Sequence, residues 1–226
     1  MRLRNLLIWD MRFQLRYGFY LLYTFLTLFY IVVLTAMPSS LRGYAAAVLI
    51  FSDPSAMGLF FMGAIVLLEK NQRVTSFMAV TPLKAEEYVL SKVLSLNAIA
   101  LVVAMILTLS VGGRKIVPVL IGTFMAGTLF TLCGVIVATK ITSLNQFILA
   151  TVPVEIVGFV PAILHLCGIT PKSWGIYPAN ACMDLVAGRE ASIIGLVLCA
   201  LIIAALFRAS VSCVQKMWQE QGGVKI

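Results

Sequence analysis

Six apolar stretches, each near the length that carries an α-helix across a bilayer, dominate this chain: Gly18 to Met37, Pro54 to Leu68 (or, extended backward, from Tyr44), Val89 to Val111, Val117 to Ala138, Gln146 to Cys167 and Ala191 to Val211. A hydrocarbon core about 30 Å thick takes about 20 residues of helix, and inside it every backbone N–H and C=O must find a partner. Of the 226 residues, 61% are hydrophobic and 12% charged, with a mean hydropathy of +1.02; soluble domains run at roughly 45–50% apolar and about 25% charged. The expectation is an all-α integral membrane protein, one transmembrane domain over 1–226, with six spans and both termini on the same side.

The second span is short, and Ser52-Asp53-Pro54 interrupts the apolar run before it. Proline has no amide donor and a carboxylate is costly in lipid. Tyr44 to Phe51 therefore reads as a separate re-entrant or interfacial helix, with Asp53 capping the second span at the outer interface. Orientation follows from the basic residues, which concentrate on the cytoplasmic side. With the termini inside, that side holds twelve of the seventeen Lys and Arg residues, and the outside keeps Arg42, Arg114, Lys115, Lys172 and Arg189. The net charge of +8 is then a topology signal with anionic lipid as its partner. Nucleic acid is excluded, since no soluble basic and aromatic module is present to bind it.

Residues 1–17 place Leu3, Leu7 and Met11 on one stripe, with Leu6, Trp9 and Phe13 beside it and the arginines and Asp10 on the rest. This is an amphipathic helix lying in the inner interface. A signal peptide does not fit, because the charged region is long and no small-residue cleavage site follows. The helix either only anchors the first span or also contacts a partner.

Between the second and third spans lies a polar interlude, Glu69 to Lys84, in a coupling region over 69–88. Val74, Phe77 and Met78 recur at helical spacing, which predicts a short helix from Lys70 to Ala79. Thr81-Pro82 then supplies an N-cap and a proline at the first position of the next helix, which carries Lys84, Glu86 and Glu87 into the third span. Such a helix-turn-helix, tied closely to two spans, can transmit force from outside the membrane; the plainer alternative is an ordinary cytosolic loop.

An ordered set of residues runs through this region: Asp53-Pro54, Gly58, Gly63-Ala64-Ile65, Leu68-Glu69-Lys70, Gln72, Thr81-Pro82, Glu87-Tyr88, Ser91-Lys92-Val93 and Ser95-Leu96. It resembles the permease subunits of type-2 ATP-binding-cassette exporters, especially the small fluoroquinolone-export-like permeases. The resemblance implies two permeases side by side, identical or paralogous, driven by two cytosolic ATPase subunits that contact the first cytoplasmic loop. Carried onto this sequence, that contact falls on Glu69, Lys70, Arg73, Phe77, Met78, Thr81 and Pro82. No fused nucleotide-binding domain is present, so the ATPase is expected to be a separate chain that binds the ATP and Mg, with no cofactor on this one.

Other chemistries find little support. A phosphate-binding loop needs glycines followed by Lys and Ser or Thr. The nearest cluster, Gly112-Gly113-Arg114-Lys115, falls at the outer end of the third span and reads as a tight turn. Glu86-Glu87 with Lys92 lacks the arginine and histidines of glutamate-based membrane proteases, and the one histidine, His165, reads as a packed or interface-facing residue. Matching broken helices in two halves, the mark of many secondary transporters, are missing. Glu155 lies inside the fifth span between Pro153 and Pro161; it either lines a substrate path, attracting a cation or carrying a proton, or bonds to another helix. Cys133, Cys199 and Cys213 act as small apolar residues, while Cys167 and Cys182 both fall on the outer side and could pair, although the odd total and wide spacing do not read as a disulfide framework. Residues 168–190, with Trp174 and Tyr177 at headgroup depth and a helical patch from Met183 to Ala187, form an external re-entrant loop. The function expected is the plasma-membrane permease subunit of an ATP-driven exporter of amphipathic or hydrophobic molecules. A self-sufficient secondary transporter or small channel is the alternative, and an accessory scaffold a third.

Overall fold

A computed structural model describes residues 2–79, 81–112 and 115–222. Those residues are all-helical: α1 (Arg2–Arg16), α2 (Phe19–Ala36), α3 (Ser39–Ser52), α4 (Met57–Asn71), α5 (Val74–Ala79), α6 (Ala85–Ser110), α7 (Ile116–Lys140), α8 (Leu144–Leu166), α9 (Pro178–Val186) and α10 (Ile193–Gly222), with a 3₁₀ turn at Lys172–Ile176. Six stretches among them are long and apolar enough to cross a membrane: α2, α3 with α4, α6, α7, α8 and α10. Val80 of the polar interlude, Gly113 and Arg114 of the expected turn, and Lys225 of the basic count lie outside the described residues.

The bundle is built around α7, against which α4, α6, α9 and α10 pack. Lipid gives no hydrophobic drive for helices to associate, so close backbone approach at small residues must supply it. Where α4 crosses α7, a Cβ added at Gly134 would lie 3.0 Å from the Gly58 carbonyl oxygen and 3.1 Å from Leu59 Cα, and one added at Gly58 would come within 2.9 Å of Thr131 Cα. Farther along, Phe51, Phe130 and Phe159 join α3, α7 and α8, with the Phe130 and Phe159 rings stacked 5.0 Å apart. By contrast α2, α8 and α10 are largely exposed and turn side chains such as Phe25, Leu149 and Leu201 outward.

Several boundaries depart from those read in the sequence. The helix expected from Tyr44 begins at Ser39 and buries Ala46, Ala47, Ile50 and Phe51 against neighbouring helices. Together with α4 it forms one broken span, Ser39–Asn71, in line with the backward extension through Tyr44 and not with a separate interfacial helix. Asp53 at the break is likewise inside: it accepts from Tyr23 and Tyr30 of α2, at levels either side of that helix's midpoint, and so lies far from the interface it was expected to cap. The helix after Pro82 starts only at Ala85, where the Glu87 carboxylate accepts from the Lys84 N–H at 3.1 Å; Thr81 caps nothing and donates to the Met78 carbonyl instead. The last helix runs past Val211 to Gly222 and buries Val214, Met217 and Trp218.

At the far end, away from α1 and α5, α9 packs against α7, α8 and α10, and it starts at Pro178, ahead of the helical patch expected from Met183. Pro161 leaves the Val157 carbonyl without its usual helical donor, and the Tyr177 hydroxyl donates to that carbonyl at 2.8 Å. Cys167 is exposed and free, while the Cys182 and Cys199 sulfurs lie 3.6 Å apart because α9 faces α10. The Cys167–Cys182 pairing is therefore not formed. His165 rests between Thr170 at 3.0 Å and Asp184 at 3.2 Å, a packed histidine.

Gly58→Val is expected to destabilise the bundle by on the order of 3 kcal/mol, since its Cβ would overlap Thr131 Oγ1 and, even with that hydroxyl turned away, would meet Thr131 Cβ at 2.6 Å and the Thr131 Cα backbone atom at 2.9 Å. Gly43→Ala, whose Cβ meets nothing within 4 Å, should be neutral or gain up to about 1 kcal/mol. Thermal unfolding of both variants in detergent separates these outcomes.

Candidate functional site

Where α1 crosses the bundle, its polar residues turn inward. Asp10 and Gln14 are buried with Phe13, although the amphipathic pattern puts Asp10 among the arginines on the wet face. The cause sits on α6: Lys92, 1% exposed, is embedded in the apolar run Val89 to Leu94, and a buried ammonium needs acceptors on every side. Its Nζ donates to Asp10 Oδ1 at 2.6 Å and also to Glu69 Oε1. Ser91 donates to the other Asp10 oxygen, and the Tyr88 hydroxyl donates to Glu69 Oε2 at 2.5 Å. Gln14 reaches Ser95 Oγ at 3.0 Å. Two carboxylates and one ammonium thus bind α1, α4 and α6 into one unit, with the Trp218 ring of α10 edge-on to Tyr88 at 5.6 Å.

The polar interlude starts from this cluster. Glu69 is 0% exposed, so the expected surface contact is an interior one, committed to Lys92 and Tyr88. Lys70 also belongs to the end of α4: its ammonium donates to the carbonyls of Ala138, Thr139 and Ile141 at 3.1, 3.2 and 2.9 Å. Those last carbonyls of α7 have no intrahelical donor. The short helix therefore begins at Val74 and not at Lys70, after a turn in which Arg73 adopts φ 57, the left-handed region usually left to glycine.

Arg73, Phe77 and Pro82 remain exposed, Thr81 is half-buried and Met78 is buried. Phe77, a large apolar side chain, is 67% exposed. Opposite stands α1, and between them runs a groove of about 840 Å³ lined by Leu6 and Trp9 of α1, Phe77 and Met78 of α5, and Pro82 and Leu83 of the loop, with Arg2 and Arg73 at its edges. Arg2 closes one end through a 2.8 Å bond to the Pro82 carbonyl. The buried end of α10 supports α5 from behind.

A sequence profile of the fluoroquinolones export permease protein family matches residues 1–218, a stretch covering α1, the ion cluster, α5 and all six spans. The chain belongs to this family. Two relatives from Mycobacterium tuberculosis, fluoroquinolones export permease protein MT2761 (strain CDC 1551 / Oshkosh) and fluoroquinolones export permease protein Rv2687c (strain ATCC 25618 / H37Rv), are each 30% identical to it over 165 residues, 72% of this chain and 70% of each relative. Family and helices together make it a bacterial membrane protein of an export-permease family.

In this permease Glu155 lies midway along α8. It is half-buried beside the outward-turned Val152 and Ile156, and no hydrogen bond or ion pair engages it among the described residues. Asp10, Tyr88, Ser91 and Lys92 were not among the expected site residues. The signal for them was Lys92 itself, a lone cation inside an apolar run, together with the lone acid in an arginine-rich first helix.

Lys92→Met leaves two buried carboxylates without their cation and is expected to cost about 3–5 kcal/mol. The triple variant Asp10→Asn, Glu69→Gln, Lys92→Met removes all the formal charge and should recover most of that loss. Thermal unfolding of single and triple variants measures it, and equal losses would show that the three charges do not act as a unit.

Proposed function

We propose that this permease is the membrane half of an ATP-driven exporter and that the groove between α1 and α5 receives a separate cytosolic ATPase. The observation that carries this reading is the groove's construction: an exposed aromatic on a six-residue helix, a basic rim, and walls fastened to the spans behind them by buried charge. A helix of the ATPase with apolar side chains facing Trp9, Phe77 and Met78 and acidic residues toward Arg2 and Arg73 suits it. ATP and Mg reside on that partner, and the basic end of the bundle, with both termini, faces the cytoplasm.

The geometry supplies a route for the stroke. A push on α5 passes through the Arg73 turn into α4 and through the loop at Pro82 into α6. Because Glu69, Lys92 and Asp10 bind those two helices to α1, they move together and not by bending separately. Two permeases, identical or paralogous, flank a central path, and the outward-turned α2 and α8 are the faces free to meet the second copy. Glu155 on α8 then lines the path or the seam, where a mid-bilayer carboxylate finds the water or partner that it lacks within one chain. The cargo is an amphipathic or hydrophobic molecule moved outward.

Co-purification tests the docking. The tagged permease should retain an ATPase, and Arg73→Glu with Phe77→Ala should abolish the association while the unfolding temperature stays near that of the wild type. Arg73→Gly, which suits the left-handed backbone, should gain up to about 1 kcal/mol of stability and weaken the association only partly. Undiminished retention by the double variant would overturn the assigned contact. Uphill transport by the permease alone in nucleotide-free vesicles would overturn the ATP-driven reading.

A further inference from the structure

A second polar site lies in the middle of the bundle, apart from the ion cluster. Asp53 stands at the break between α3 and α4, and its two oxygens accept from phenols on another helix, Oδ1 from Tyr23 at 3.2 Å and Oδ2 from Tyr30 at 2.8 Å. Tyr23 and Tyr30 are two turns apart on α2, about 10 Å along its axis, and lie either side of its midpoint. The carboxylate is therefore held close to mid-depth, where an anion is most costly. Among the described residues no Lys, Arg or His pairs with it. The phenols orient the group without offsetting its charge, and it is half-buried and not sealed.

The surroundings fit a particular kind of visitor. Phe61 presents its ring 5.8 Å from that of Tyr23 and 4.6 Å from that of Phe19, so aromatic rings continue from Tyr23, the carboxylate's own partner. A metal ion of the calcium or magnesium type needs about six oxygen ligands, more than one carboxylate and two phenols provide. An organic cation needs one anion, aromatic faces and apolar surface for its own hydrocarbon. Breaks in spanning helices at mid-depth are also where transporters place groups that meet charged cargo.

We propose that Asp53, Tyr23 and Tyr30 form a binding site for the positively charged group of an amphipathic organic cation. The site's part in transport rests on the exporter reading above; the binding itself does not. Asp53 supplies the countercharge, the tyrosines hold it in place, and the partial exposure of the carboxylate gives access.

The test uses the purified full chain in detergent with two fluorescent probes, the cation rhodamine 6G and the uncharged dye Nile red, read by polarisation. Asp53→Asn is expected to weaken rhodamine 6G binding by at least about tenfold, the effect of losing one charged contact, while Nile red changes by less than about twofold. Asp53→Glu, which keeps the charge, should retain most of the cation binding and controls for a folding defect in the Asn variant. Equal weakening of both probes, no weakening of either, or no binding of rhodamine 6G to the wild-type chain would each overturn the site. Vesicles containing the permease with its ATPase separate the two readings. ATP-driven export of rhodamine 6G untouched by Asp53→Asn overturns this site alone, whereas Asp53-dependent binding without ATP-driven export overturns the exporter reading and leaves the site standing.

Discussion

Lys92 is a cation placed where water cannot reach it, and the arrangement of the basic end follows from satisfying it. An unpaired ammonium in such a place is untenable, so a carboxylate must come from the end of α4 and another from α1. That requirement fixes the depth and rotation of the leading helix: only one face of α1 can present Asp10 to α6, and doing so also buries Phe13 and Gln14. An amphipathic helix that is otherwise only weakly buried is thereby fastened to the bundle along one face. With α1 fixed, the groove against α5 acquires its second wall.

The same logic, polar groups satisfied by elements distant in sequence, recurs through the molecule. Lys70 closes the end of α7, Ser210 of α10 donates to the Leu132 carbonyl of α7 at 3.2 Å, and Arg189 donates to the Leu166 carbonyl at the end of α8 at 3.0 Å. In a medium where apolar packing discriminates poorly between neighbours, such bonds specify which helix lies beside which. Tight contact is concentrated in the α4–α7 crossing at Gly58 and Gly134. The bundle thus combines a closely packed centre with outer helices α2 and α8 that have broad faces still uncovered.

Spans were legible in the sequence because their signal is length and apolarity, which tertiary contacts hardly alter. The interruption at Asp53-Pro54 was legible for the same reason: proline and a carboxylate break a helix locally. Depth was not, since Ala46 and Ala47 look as suited to an interface as to a core, and only packing shows that α3 enters the bundle. At the site, the spacing of Val74, Phe77 and Met78 announced a short helix, but it could not separate the exposed Arg73 and Phe77 from the buried Glu69 or the inward-bonded Lys70. A charged pair at the end of a span looks the same whether it faces water or turns inward, and its partners, Lys92 and the α7 carbonyls, lie 23 and 68 to 71 residues away. The family resemblance named Glu69, Lys70 and Met78 together with Arg73, Phe77, Thr81 and Pro82, and it carried no signal separating the buried side chains from the exposed ones.

The overhang of α10 has a consequence for assembly. The small helix α5 is backed by the buried end of that last described helix, and Trp218 meets Tyr88 at the root of the ion cluster. During synthesis, the early segments leave the ribosome long before this backing exists. A chain cut short within α10 would still insert its earlier spans, yet would present α5 without its rear support. The groove between α1 and α5 therefore takes its supported form only once α10 has been made and packed behind it.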